Sequence, residues 1–244
     1  MWRSLRVALQ FLTRLPVPGM TVIDDRERGY SLLWYPVVGL LIGGLLVMLA
    51  GALSDISLLL RAALVLAAWV VITGALHLDG LADSADAWMG GLGNRERTLA
   101  IMKDPYCGPG GVVVVVLVLL IKFAALESIL ATNNLSLLWL APVLGRVAMP
   151  LLFLTTDYVR PGGLGSALAL HLPRRAAWVV VVFSMSIVLA MGEIGVLVSI
   201  SAVLMFLLLR AMMRRRIQGT TGDTAGAMVE LVEMAVLVTV AIAS

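Results

Sequence analysis

The sequence predicts an all-α, polytopic integral membrane bundle of about seven transmembrane helices, with an additional interfacial helix at a cytoplasmic N-terminus. Three observations carry that expectation. Of the 244 residues, 61% are hydrophobic and 14% charged, whereas a soluble domain carries roughly a quarter charged residues. The apolar residues gather in seven stretches close to the ~20 helical residues needed to cross a hydrocarbon core. Fifteen of the 18 Lys and Arg fall in the segment before the first stretch and in alternate connections between the stretches. A disordered chain is excluded by the apolar content, and a coiled coil by the lack of a heptad stripe. One domain, residues 1–244, is expected.

Taken in order, the chain opens with residues 2–15. At about 100° per residue, Arg3, Arg6, Gln10, Thr13 and Arg14 share one face and Trp2, Leu5, Leu9 and Leu12 the other, which reads as a helix lying in the interface and ended by Pro16 and Pro18. The arginines interrupt any apolar core, so a secretory signal is not expected. The spans are 31–52, 56–76, 110–130, 135–156, 176–192, 193–209 and 225–243. Runs such as Val112 to Val116 favour strand in water, but a lone segment in lipid must satisfy its own backbone, which selects helix.

Basic residues mark the cytoplasmic face. Arg3, Arg6, Arg14, Arg26 and Arg28 precede span one; Arg95, Arg97 and Lys103 follow span two; Arg160, Arg174 and Arg175 follow span four; Arg210, Arg214, Arg215 and Arg216 follow span six. The N-terminus and the long loops are therefore expected in the cytoplasm and the C-terminus outside. The single cysteine, Cys107, forms no internal disulfide, so the fold needs no oxidising compartment.

The chemistry concentrates in two acidic blocks at cytoplasmic span ends. In His77-Leu78-Asp79-Gly80-Leu81-Ala82-Asp83-Ser84-Ala85-Asp86, a helix places the three aspartates within about 60° of one another. Like charges so placed repel. An all-carboxylate set suits a hard, oxygen-seeking ion such as Mg²⁺; the bland reading is that Asp79 and Asp83 are solvated acids at a helix end. His77 is open between metal ligand, general base and interfacial residue.

The second block runs from Gly219 to Gly226 and on to Glu230 and Glu233. A helix puts Asp223, Gly226, Glu230 and Glu233 on one stripe. Asp223 alone could be an N-cap, while acids inside a span face a polar cavity or a partner. Between the blocks lie Arg95, Arg97, Lys103 and Asp104, then Gly108-Pro109-Gly110-Gly111 opening span three. That helix start is either a phosphate site or a hinge. No Walker loop is present, so a motor ATPase is not expected.

Arg146, near the middle of span four, is read as a substrate contact or as half of a buried ion pair with Glu230 or Glu233. Arg61 and Glu127 lie nearer the outer ends and read as snorkelling side chains. Lys122 is left open, and His171 reads as solvated.

Together, the His77 to Asp86 block, Arg97-Thr98-Leu99-Ala100-Ile101-Met102-Lys103-Asp104 with its following glycines, and Thr221-Gly222-Asp223 through Gly226-Ala227 with Glu230 and Glu233 resemble the cobalamin synthase family of adenosylcobinamide-GDP ribazoletransferases. The match is in order over nearly the whole chain, and Asp79-Gly80-Leu81-Ala82-Asp83 is its most specific phrase. Two positions depart from it. Ala87 stands where a glycine commonly follows the third acid, and Gln218 stands where the last block usually has paired glycines.

The resemblance implies a multi-pass inner-membrane enzyme with its active site facing the cytoplasm. It would use Mg²⁺ to join adenosylcobinamide-GDP to α-ribazole or its 5′-phosphate, giving adenosylcobalamin or its phosphate and GMP. Carried over by position, Asp79, Asp83, Asp86, Asp223 and Glu230 would be metal-binding, with Glu233 in the second acidic group. His77, Asp79, Asp83, Lys103, Asp104 and Asp223 are the catalytic candidates, and Arg95, Arg97, Gly110, Gly111 and Arg146 the substrate contacts. The partners expected are these small molecules and the lipid bilayer, with no nucleic acid. Homo-oligomerisation or association with other late corrinoid-pathway enzymes is left open. Two alternatives stand beside this reading: a CDP-alcohol phosphotransferase, whose aspartates are spread over a longer motif, and a cation-coupled transporter using Glu230, Glu233 and Arg146.

Overall fold

The computed structural model describes residues 1–19, 23–162 and 164–243. Among them every regular element is helical, and the one extended pairing is a bridge between Tyr158 and Thr220. The helices are α1 (Trp2–Leu12), α2 (Asp25–Ser31), α3 (Tyr35–Ala52), α4 (Leu58–Thr73), α5 (Leu76–Gly90), α6 (Arg95–Ile101), α7 (Pro109–Ala131), α8 (Leu140–Thr155), α9 (Leu164–Leu170), α10 (Arg174–Leu189), α11 (Glu193–Ile217) and α12 (Gly222–Ala243).

Five helices are long and apolar enough to cross a bilayer: Asp25–Ala52, which joins α2 to α3, then α7, Leu135–Thr155, α11 and α12. The pair α4 and α5 would make a sixth, bent by 87° at its break. The expected seven therefore becomes five or six by length. The difference lies in the stretches 56–76 and 176–192. Their helices, α4 and α10, have 16 residues each, about 24 Å at 1.5 Å per residue, short of a ~30 Å core. The division at Gly192-Glu193 holds: Gly192 has φ +77° and α11 starts at Glu193, running on to Ile217 rather than 209.

Surfaces and core follow from the bilayer as solvent. Val112, Val113, Val116, Leu117, Leu120 and Ile121 on α7, and Val203, Leu204, Leu207 and Leu208 on α11, are exposed. Such a belt would be an aggregation surface in water and is the natural outer face of a bundle in lipid. α8 is the most enclosed span, packed against α3, α10 and α12. Small residues let it approach α3: a Cβ on Gly39 would lie 2.5 Å from the Pro142 carbonyl oxygen, and one on Gly43 2.5 Å from the Trp139 Cα.

The corner between α4 and α5 positions the acidic block. Gly74 (φ +61°) and Ala75 (φ +56°) are both left-handed, and their amides donate to the carbonyls of Val71 and Val70. The chain then turns, and α5 lies across the end of α4, burying Leu78 and Leu81 against Val118 and Ala227 while Asp79 stays exposed. α1 ends against the corner: the Arg14 amide donates to the Ile72 carbonyl at 2.7 Å, and a Cβ on Gly74 would meet the Arg14 side chain. α1 stops at Leu12 and buries Ser4, Val7, Ala8 and Leu12. The protein therefore packs against a face slightly rotated from the Trp2, Leu5, Leu9 stripe, and Trp2 is left exposed.

Candidate active site

α5 is helical through the whole block, so Asp79, Asp83 and Asp86 do share a face. α12 brings the second block to them because both helices carry glycines at their contact. A Cβ on Gly80 would lie 2.7 Å from the Asp223 carbonyl oxygen, and one on Gly226 would lie 3.4 Å from the His77 Cα. Asp83 consequently sits in the field of Asp79, Asp223 and Asp86, and of the Arg160 guanidinium.

Arg160 is the site residue that sequence reasoning left as an ordinary loop base. The strand-like segment from Asp157 to Arg160 is pinned to the turn before α12: Thr220 N–H donates to the Asp157 carbonyl at 2.8 Å and Val159 N–H to the Thr220 carbonyl at 2.9 Å. Gly219 makes this possible, since a Cβ there would lie 2.4 Å from the Asp157 carbonyl oxygen. Arg160 then donates through Nη1 to Asp223 Oδ2 at 2.8 Å and through Nη2 to the Met102 carbonyl at 2.9 Å. Its partner is 63 residues away in the chain, so no local pattern announces it.

Asp79, Asp223 and Arg160 line a cavity of about 220 Å³ with His77, Tyr158 and the backbone of Gly80, Gly222 and Gly226. Phe153 stacks on Tyr158 at 6.1 Å between ring centroids and gives the cavity an apolar wall. His77 is 2% exposed and neither ring nitrogen has a hydrogen-bond partner among the described residues. A buried polar group left in that state is costly unless something else meets it.

Asp86 is turned to a different task. Its Oδ2 accepts the Gly108 amide at 2.7 Å and its Oδ1 the Gly111 amide at 2.8 Å. These are N–H groups of the α7 start, where a phosphate was expected beside Gly110 and Gly111, and the carboxylate meets them instead. Arg95 is also engaged, donating to the Ile217 carbonyl at 2.9 Å. Arg97, Lys103 and Asp104 are exposed on and after α6, and Asp104 accepts the Tyr106 amide at 3.1 Å.

The deeper charges form a separate network. Lys122 Nζ contacts Glu230 Oε2 at 2.8 Å and Glu233 Oε2 at 2.7 Å, and lies 4.2 Å from the centre of the Trp69 ring. Arg146, fully buried, pairs with Glu233. Of the two readings of Arg146, the structure has the ion pair. Glu230, expected with the metal-binding acids, is held by Lys122 inside the bundle, because two buried carboxylates need opposite charges beside them. These are the charges a cation-coupled transporter would use, and in the structure they pair with one another. Arg61, expected to snorkel, is buried and donates to the Ala50 carbonyl at 2.8 Å.

Among the described residues, no three His, Cys, Asp or Glu side chains are drawn together into a ready metal cage. Mg²⁺, however, keeps several waters and is commonly held by one or two carboxylates plus substrate phosphates. Asp79, Asp83 and Asp223 offer oxygen only, near a single guanidinium, and that donor chemistry fits a hard divalent cation.

The class follows first: a polytopic helical membrane enzyme with a carboxylate-lined cleft at one end of its bundle. The chain belongs to the cobalamin-5-phosphate synthase family, whose model matches residues 4–241. It is 56% identical over 240 residues to an adenosylcobinamide-GDP ribazoletransferase of Pseudomonas aeruginosa, covering 98% of each chain. It is 57% identical to one of Pseudomonas entomophila, covering 97% of each. With that of Stutzerimonas stutzeri it shares 55% identity over 98% of this chain and 97% of the relative. No solved structure matches it.

Proposed function

We propose that the protein catalyses attack of a ribose hydroxyl of α-ribazole, or of its 5′-phosphate, on the diphosphate of adenosylcobinamide-GDP. The new P–O bond forms as the bond to the guanylate breaks, GMP leaves, and the hydroxyl proton is lost to solvent. The product is adenosylcobalamin or its phosphate. The observation that carries this reading is the cleft in which Asp79 and Asp223 from two helices meet one arginine, with Asp83 in their field, in a chain matching relatives of that name along almost its whole length.

Phosphoryl transfer from a diphosphate is limited mainly by positioning and charge neutralisation. When bound, Mg²⁺ supplies charge neutralisation at the phosphoryl oxygens. Asp79, Asp83 and Asp223 would hold it. Arg160, with Arg97 and Lys103 exposed on and after α6, would contact phosphate oxygens, while Phe153 and Tyr158 keep one wall dry. Asp86 supports the site by fixing the start of α7. The distribution of Lys and Arg supports an inner membrane location with this cleft facing the cytoplasm.

The test is GMP release from adenosylcobinamide-GDP by purified protein in lipid, with and without α-ribazole 5′-phosphate, in Mg²⁺ and then in EDTA. Release that requires both the nucleophile and Mg²⁺ is expected. Release without the nucleophile, or undiminished in EDTA, overturns the reading.

A further inference from the structure

The cleft contains more negative charge than it can leave uncompensated once a phosphate enters. Asp79 and Asp223 line it, Asp83 lies in their field, and Arg160 is the cation among its lining residues. The other two buried cations nearby, Lys122 and Arg146, are committed to Glu230 and Glu233. In the structure Arg160 uses its planar fork on Asp223 and on the Met102 carbonyl, with both side chains of the ion pair only about one-fifth exposed, 22% and 18%. A guanidinium fork matches phosphate as well as it matches carboxylate.

We propose that Arg160 is a two-position residue: at rest the counter-ion of Asp223, and with substrate bound a ligand of the diphosphate, which frees Asp223 for the divalent cation arriving with it. This rests on the reading of Asp223 as a metal-binding acid and assigns the phosphate subsite to the cavity between α5, α12 and the segment Asp157 to Arg160. His77, buried there with both ring nitrogens unpartnered, is a second polar group facing the same subsite. The arrangement makes cation and phosphate mutually dependent. Moving Arg160 without a cation leaves Asp223 beside Asp79 uncompensated, and a cation without phosphate must compete with the guanidinium. Because Arg160 also holds Met102 at the end of α6, its departure releases the segment carrying Lys103 toward the same phosphates.

The test uses full-length protein in nanodiscs, with Mn²⁺ as the metal probe read by electron paramagnetic resonance and pyrophosphate as the phosphate probe. Arg160→Gln should bind Mn²⁺ alone severalfold more tightly than the wild type and Mn²⁺-pyrophosphate severalfold more weakly. These opposite signs are not produced by loss of folding or by general loosening. Unchanged or weaker Mn²⁺ binding in the variant, or no Mn²⁺ binding by either protein, overturns the proposal. Should Arg160→Gln fail to fold, Arg160→Lys keeps the charge without the fork. Its Mn²⁺ affinity should stay near wild type while pyrophosphate binding falls, and equal pyrophosphate affinity overturns the proposal. Neither titration involves the corrinoid, so a negative result here leaves GMP release as a separate question.

Discussion

Asp86 and Gly111 are joined across 25 residues of chain by a hydrogen bond of 2.8 Å that, with the companion bond to Gly108, stoppers the start of α7. An acid of the first block is thus engaged with backbone, and its replacement should look unlike that of its neighbours.

Asp86→Ala is expected to lower stability by about 1 kcal/mol, the usual cost of a lost helix cap, while retaining most GMP release at saturating Mg²⁺. Asp79→Asn is expected to reduce turnover by about a hundredfold and to raise the Mg²⁺ concentration needed. Thermal melting in lipid and a Mg²⁺ titration of activity separate the two. Full activity with unchanged Mg²⁺ dependence in Asp79→Asn would remove that residue from the metal set.

Cys107 is exposed, with its Sγ 3.9 Å from Asp86 Oδ2. Local desolvation and then the carboxylates of Asp86, Asp83 and Asp79 push its thiol up from the ordinary value. At a fixed pH near 8 less thiolate is present, and alkylation should be slow, since only the thiolate reacts. Its rate should climb with pH past the point where an ordinary thiol has levelled off. Asp86→Asn removes one of those charges, lowers the thiol value and should accelerate iodoacetamide labelling severalfold, read by mass spectrometry; an unchanged rate refutes the electrostatic account.

The Lys122–Glu230–Glu233–Arg146 network predicts strong non-additivity. Lys122→Met leaves a surplus of buried negative charge and should cost about 3–5 kcal/mol, whereas Lys122→Met with Glu230→Gln should recover much of that loss. Unfolding in mixed micelles measures the cycle. Simple additivity of the two single variants would mean that the carboxylates are reached by water.

Gln218 occupies the left-handed region with φ +61° at the end of α11. A side chain there costs roughly 1–2 kcal/mol relative to glycine, partly offset by the greater freedom of an unfolded glycine. Gln218→Gly should therefore raise stability by up to about 1 kcal/mol. A lower melting temperature would show that the glutamine side chain contributes more than its backbone strain.

What the sequence made legible was whatever repeats locally. Helical spacing placed Asp79, Asp83 and Asp86 on one face, and apolar length found the spans with one or two helices in excess. The departure at Gln218 falls on a left-handed backbone position, while that at Ala87 falls in the regular interior of α5, where the residue is buried. What stayed hidden depends on long-range pairing. Arg160 meets Asp223 through a bridge between distant segments, Lys122 finds its carboxylates more than 100 residues away, and Asp86 is diverted by α7. Helical wheels record angle but not neighbour, so none of these choices was visible in one dimension.

The left-handed pair Gly74 and Ala75 sets the acidic helix across the end of α4, and that corner is gripped by the end of α1. α1 packs on the protein through Ser4, Val7, Ala8 and Leu12 and leaves Trp2 exposed, so the corner inherits the mechanics of whatever surrounds that helix. A detergent that peels α1 from the corner would slacken the mounting of Asp79 and Asp83 without unfolding a single span. Purified material can then be helical, monodisperse and inert, and restoring phospholipid, rather than changing substrate or metal, is the remedy the architecture implies.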